Sequence, residues 1–105
     1  MLEVIRTQIG VITYLVPTGP ISGEDEVLIL EKMVETCVGE REVNLVVDLS
    51  KVPVVTGIVL ESFLSIQGKL ARLGGSFKVV NANALLKDIF TITGVGDYIA
   101  IIEGN

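Results

Sequence analysis

The chain has no histidine anywhere in its 105 residues. Histidine is the commonest general base and the commonest metal ligand. Its absence removes Ser-His-Asp and Cys-His arrangements, and no Cys/His cluster has zinc spacing. We therefore expect no catalytic residue, no metal site and no cofactor. Cysteine is nearly absent too. Cys37 stands alone, so no internal disulfide can form, which fits a reducing compartment. No apolar run reaches the roughly 18 residues of a membrane helix, and no basic segment leads into an apolar one. Neither a membrane span nor a signal peptide is expected, and the expected location is cytoplasmic. Basic residues are sparse: 8 Lys and Arg against 13 Asp and Glu, for a net charge of −5. Nucleic-acid affinity rests on clustered Lys and Arg facing phosphates. Here they are scattered from Arg6 to Lys87, which argues against a nucleic-acid partner. The phosphate-loop pattern G-x-x-x-x-G-K-[ST] is missing. Gly94-Val95-Gly96 follows a helix and lacks a third glycine, so it reads as a helix stop plus a turn.

What is present is a chain that is half apolar and only 5% aromatic. Its core should be aliphatic, and its length makes residues 1–105 one domain. Leu2–Gln8 and Val11–Val16 read as strands around a turn at Ile9-Gly10. Pro17-Thr18-Gly19-Pro20 is a loop. Ser22 is placed to cap a first helix, with Val27, Leu30, Met33/Val34 and Cys37 at helical spacing and Gly39 as its stop. Cys37 lies on that stripe and reads as a small buried hydrophobe. Asn44–Leu49 reads as a buried strand, its Leu45–Leu49 run apolar but for Asp48, of the kind covered on both faces in parallel sheets. Asp48 should accept from loop N–H groups, because a buried carboxylate needs donors.

A helix over residues 57–73 follows, with Val59, Phe63, Ile66, Leu70 and Leu73 on one stripe, widened by Leu60, Leu64 and Ala71. Phe63 should be its main anchor. Ser76–Val80 is a strand. A third helix should be capped by Asn81 or Asn83 and stopped by Gly94. Tyr98–Ile102 is a last strand. The order β-β-α-β-α-β-α-β gives an α/β fold: a mixed, mainly parallel sheet of about five strands with three helices.

Two surface features carry the functional reading. The acidic residues crowd into Gly23–Glu42; this is either a solvated helix face or a surface for a basic partner. Pro53, Val54, Val55 and Ile58 bring apolar side chains to a loop and helix start. Either they form a protein-binding patch, or Val54 and Val55 plug the end of the sheet.

Taken in order and spacing, several segments make the whole chain resemble a STAS domain, the module of bacterial anti-sigma-factor antagonists and of sulphate-transporter cytoplasmic ends. They are Gly19 with Ser22, Val46-Val47-Asp48-Leu49, the loop to Thr56-Gly57, Leu73-Gly74-Gly75, and Ile89-Phe90-x-x-x-Gly94. The resemblance implies partner switching. In that family an anti-sigma kinase phosphorylates a serine of an Asp-Ser-Ser/Thr-Gly motif at the start of the second helix, and the added charge breaks the complex. Here the motif is degenerate. Without gaps, Thr56 falls on the family Asp, Gly57 on the acceptor, Ile58 on the second hydroxyl and Val59 on the glycine. Shifted by one, Thr56 falls on the second hydroxyl and Val55 on the acceptor. The acceptor lacks a hydroxyl in both registers.

The resemblance thus implies a non-catalytic module docking on a protein partner, an anti-sigma serine kinase, through Ser22, Val54, Val55, Thr56, Gly57 and Ile58. Thr56 is either a helix cap or a displaced phosphorylation site. On this reading Val55→Asp should weaken docking and leave the fold intact. A scaffold subunit of a signalling assembly, a STAS subunit on the ATPase of a lipid-transporting ABC system, and a small-ligand sensor remain alternatives, and a homodimer is open.

Overall fold

A computed structural model describes residues 1–103. Strands β1 (Glu3–Ile9) and β2 (Ile12–Thr18) form an antiparallel hairpin in which Ile9 pairs with Ile12. The two-residue turn between them needs a left-handed first position, and Gly10 supplies it at φ +61°. The hairpin runs further than the sequence indicates: Pro17 and Thr18, read as loop, pair with Val4 and Glu3. Three crossovers follow, through α1 (Glu24–Gly39), α2 (Gly57–Arg72) and α3 (Ala84–Ile92). They set β3 (Asn44–Asp48), β4 (Ser76–Val80) and β5 (Ala100–Ile102) parallel to β2, in the sheet order β1-β2-β3-β4-β5. A 3-10 turn over Val95–Asp97 occupies the approach to β5, which therefore starts at Ala100 and not at Tyr98.

Each strand joins the previous one on the same side, so right-handed crossovers place all three helices on one face of the sheet. The core agrees. Leu30, Val34 and Cys37 of α1, Phe63 and Leu70 of α2, and Leu86 and Phe90 of α3 share one cluster with Leu15, Leu45, Val47, Phe77 and Val79 of the strands. Phe63 is fully buried and meets Phe77 edge-on at 5.5 Å and Phe90 at 6.5 Å, so it is the anchor its spacing indicates. β3 is buried on both faces along Leu45–Val47, as its apolar run indicates, but the two faces are covered differently. Val46 is buried but stands outside that cluster, flanked in register by Tyr14 and Lys78 on the face without helices.

Helix ends follow backbone chemistry with some exchanges of role. Ser22 is not the α1 cap. Gly23 takes that position, and the Ser22 N–H and hydroxyl donate to Glu26 Oε1 at 3.4 Å. Gly39 is the last helical residue and not the left-handed stop. That position falls to Arg41 at φ +64°, whose N–H donates to Val38 O while Glu42 N–H donates to Cys37 O. The same pair of bonds closes α2 around Gly74 at φ +77°. Leu73, Leu64 and Ala71, placed on the α2 core stripe by spacing, are exposed; Leu73 sits past the helix end. Asn83 caps α3, its Oδ1 accepting from Leu86 N–H at 2.9 Å.

Candidate functional site

The carboxyl edge of the sheet carries three loops: residues 19–23 before α1, 49–56 before α2, and 81–83 before α3. In open α/β sheets this edge is where sites form. The middle loop is stitched to both neighbours. On one side Gly19 N–H donates to Lys51 O at 2.9 Å and Ile21 N–H to Val54 O at 3.1 Å, and Ile21 bridges Val55 in parallel. On the other side the Asn83 side-chain amide donates to Pro53 O at 3.2 Å. At the loop's root Asp48 Oδ1 accepts from Ser50 N–H at 2.8 Å, the structural role its place in the strand indicates. Burial alone would raise the Asp48 pKa. The Ser50 backbone and hydroxyl, the Asn81 amide and Lys51 outweigh it and hold the carboxyl below its usual value.

The stitching sorts the loop residues by direction. Val52 and Val55 are 2% and 4% exposed and belong to the core. Pro53, Val54, Gly57 and Ile58 face out, with Val54 at 37% and Ile58 at 36%. Ser22 is exposed beside them and Thr56 is half-buried. Of the expected docking residues, the structure thus brings Ser22, Val54, Thr56, Gly57 and Ile58 to one edge and sends Val55 inward. The expectation that Val55→Asp spares the fold is corrected: its carboxylate would enter an apolar core. Thr56 is the N-cap residue of α2 by position only. Its hydroxyl makes no cap bond and donates instead across the gap to Ser22 O at 3.2 Å, tying two loops together.

Two features escaped the sequence reading. One is a groove of about 480 Å³ between the first two turns of α1 and α2, lined by Glu24, Asp25, Leu28, Glu31, Ile58 and Glu61. The residues of each helix recur three and four apart, but nothing in either segment alone shows that the two stripes face each other. The other is a polar network at the opposite edge. The Arg6 guanidinium spans Glu42 and Glu40, and the buried Thr13 hydroxyl donates to Glu42 Oε1 at 2.8 Å. Arg6, then Thr13, hold the Glu42 carboxyl below its usual range. Near them the Cys37 thiol is buried, and burial pushes its pKa up, which keeps it a neutral, inert hydrophobe as its stripe position indicates. Among the described residues no three metal-ligand side chains converge, and no helix is long and apolar enough to cross a membrane.

The family model for the STAS domain matches residues 3–104. No curated protein matches by sequence. Several solved structures share the fold. A candidate anti-sigma factor antagonist from Thermotoga maritima superposes with a TM-score of 0.88 at 16% identity, covering 97% of this chain and 86% of that one. An anti-sigma factor antagonist from Mycobacterium paratuberculosis gives 0.83 at 20% identity, over 96% and 85%. The Bacillus cell fate determinant SpoIIAA in its phosphorylated form gives 0.75 at 9% identity, over 100% and 92%. At these identities the likeness is one of fold.

Proposed function

The chain belongs to the STAS domain family, and from that premise we propose that it is a non-catalytic, cytoplasmic protein-binding module that partners an anti-sigma-type kinase without the usual serine phosphoswitch. The observation that carries this reading is the outward pair Pro53-Val54, held rigidly beside Ile58 at the carboxyl edge by hydrogen bonds to both flanking loops. A preformed apolar face at a loop is a protein-interaction surface in its chemistry. The missing switch rests on the same geometry. Of the two acceptor positions, Gly57 carries no hydroxyl and Val55 is both aliphatic and buried. The Thr56 hydroxyl is engaged with Ser22 O, so modifying it would cost the tie between the loops.

The test is affinity capture from the organism that encodes the chain, with wild type and Val54→Asp as baits and mass spectrometry as readout. The expected result is a kinase of the anti-sigma class retained by wild type and lost by the variant. Equal recovery on both baits refutes the docking face. Incubation of the captured kinase and ATP with the purified chain should leave its intact mass unchanged. A gain of one phosphate mapping to Thr56 overturns the unswitched reading.

A further inference from the structure

The groove between α1 and α2 opens at the end of the docking edge and shares Ile58 with it. Val27, Leu28 and Ile58 give it an apolar part beside Ser62 and Ser65, and the buried Ser62 hydroxyl donates to Glu31 Oε2 at 2.7 Å. Leu28, a leucine on a helix face, is 51% exposed there, and Ile58 stands opposite. Its rim is acidic on both sides, with Glu24, Asp25 and Glu31 from α1 and Glu61 from α2. No Lys or Arg lines it, and among the described residues none of these four carboxylates has an ion-pair partner.

The spacing also fixes the shape of what fits. The lining residues lie between 24 and 31 on α1 and between 58 and 65 on α2, two turns of each helix or about 10 Å. Both helices start at the carboxyl edge, so they run side by side in the same sense. A trough between two such helices accepts a third helix by ridge-into-groove packing, read through anchors at i, i+3/i+4 and i+7.

We propose that this groove seats a basic amphipathic helix of a protein partner, with an apolar side chain between Leu28 and Ile58 and Lys or Arg on Glu24, Asp25, Glu31 and Glu61. The assignment rests on the reading above that the chain binds protein, and it names a second contact for such a partner. Net negative charge concentrated at a groove steers a basic helix in and rejects an acidic one.

The experiment is fluorescence anisotropy with the full chain and three labelled, stapled peptides of about 14 residues, long enough for the two turns plus flanks once stapled. One carries Leu anchors and Lys flanks, one has every Lys changed to Glu, and one has the Leu anchors changed to Ser. The basic apolar peptide should bind at least about tenfold tighter than either twin, and raising salt from about 0.1 M to about 0.5 M should weaken it. Leu28→Ser and Glu61→Arg, both at exposed positions, should each reduce its affinity at least about tenfold with an unchanged circular dichroism spectrum. Equal binding of all three peptides, or wild-type affinity in Leu28→Ser, overturns the proposal. A dimer of the chain that Leu28→Ser dissociates in analytical ultracentrifugation also overturns it, by giving the groove to a second copy. None of these readouts uses the kinase, so failure here leaves the docking loop standing and failure of the capture leaves the groove standing.

Discussion

Adjacent valines with opposite fates give a sharp test of the site. Val55 is 4% exposed and packs in the core, while Val54, one residue earlier, is 37% exposed on the edge. Val55→Ala deletes two methyl groups at about 0.8 kcal/mol each and leaves part of their volume empty, for a total of about 2–3 kcal/mol. In a domain of this size that lowers the melting temperature by roughly 10–20 °C. Val55→Asp is worse, because the carboxylate meets no donor in the core and must be buried neutral or drag the loop open, at a cost of about 3 kcal/mol or more. The same two changes at Val54 stay within about 0.5 kcal/mol, as exposed positions do. The assay is thermal unfolding by circular dichroism for all four variants, paired with partner capture. The expected pattern is crossed: Val54→Asp folds and fails to bind, and Val55→Ala binds in proportion to its folded fraction. A Val55→Asp protein that melts with wild type, or a Val54→Asp protein destabilised as much as Val55→Asp, refutes the assignment of inside and outside along the loop.

Gly75→Ala would set a methyl 2.0 Å from Val43 O; backbone must move, so urea unfolding should show a loss of about 3 kcal/mol or more. Gly74→Ala has free space but a φ of +77°; the left-handed penalty of about 1–2 kcal/mol, less alanine's smaller freedom in the unfolded chain, should leave a loss of only about 0.5–1 kcal/mol. Arg41→Gly removes a side chain from a left-handed turn at φ +64°. Relief of about 1–2 kcal/mol, less about 1 kcal/mol for glycine's added freedom in the unfolded chain, leaves a gain of about 0.5 kcal/mol in unfolding free energy, read as a higher urea midpoint. Glu42 has its folded pKa depressed by Arg6 and Thr13. Its contribution is therefore complete above the ordinary carboxylate range near about pH 4 and is lost as pH falls through the depressed value. Urea midpoints from pH 7 down to pH 2 should decline less steeply below pH 4 in Glu42→Gln than in wild type.

The architecture was legible because it rests on local signals. The β-branched residues crowded into β1 and β2, the helical spacing of Val27, Leu30, Val34 and Cys37, and the positive-φ stops at Gly74 and Gly94 each announce an element within one short window. What failed depended on partners far away in sequence. Val46 is buried as its apolar run indicates, but only the register shows that Tyr14 and Lys78 flank it on the face without helices. Arg41 is an ordinary surface residue until the Glu42 N–H closes onto Cys37 O. Ser22 has the chemistry of a cap, yet the helix begins one residue too late for it to serve. The site was half legible for the same reason. Composition announces a greasy loop, but only the bridge from Ile21 to Val55 decides which valine turns inward. The acidic groove joins residues on helices separated by a whole strand and loop, and neither helix alone shows it.

On the docking function proposed above, adhesive patch and hydrophobic plug are two aspects of one arrangement. An apolar segment exposed on a free loop would have to be ordered at the moment of binding, at about 1 kcal/mol or more for each backbone residue fixed. Here Val52 and Val55 go inward and anchor the loop in the core, and three backbone or amide hydrogen bonds to Lys51 O, Val54 O and Pro53 O hold it from both sides. The ordering is complete before any partner arrives. Pro53 and Val54 are presented between those anchors, so the plug is what makes the patch rigid. It follows that binding and stability are separable by residue but not by region: changes to the outward residues alter affinity alone, and changes to the inward ones weaken the fold and the docking face together.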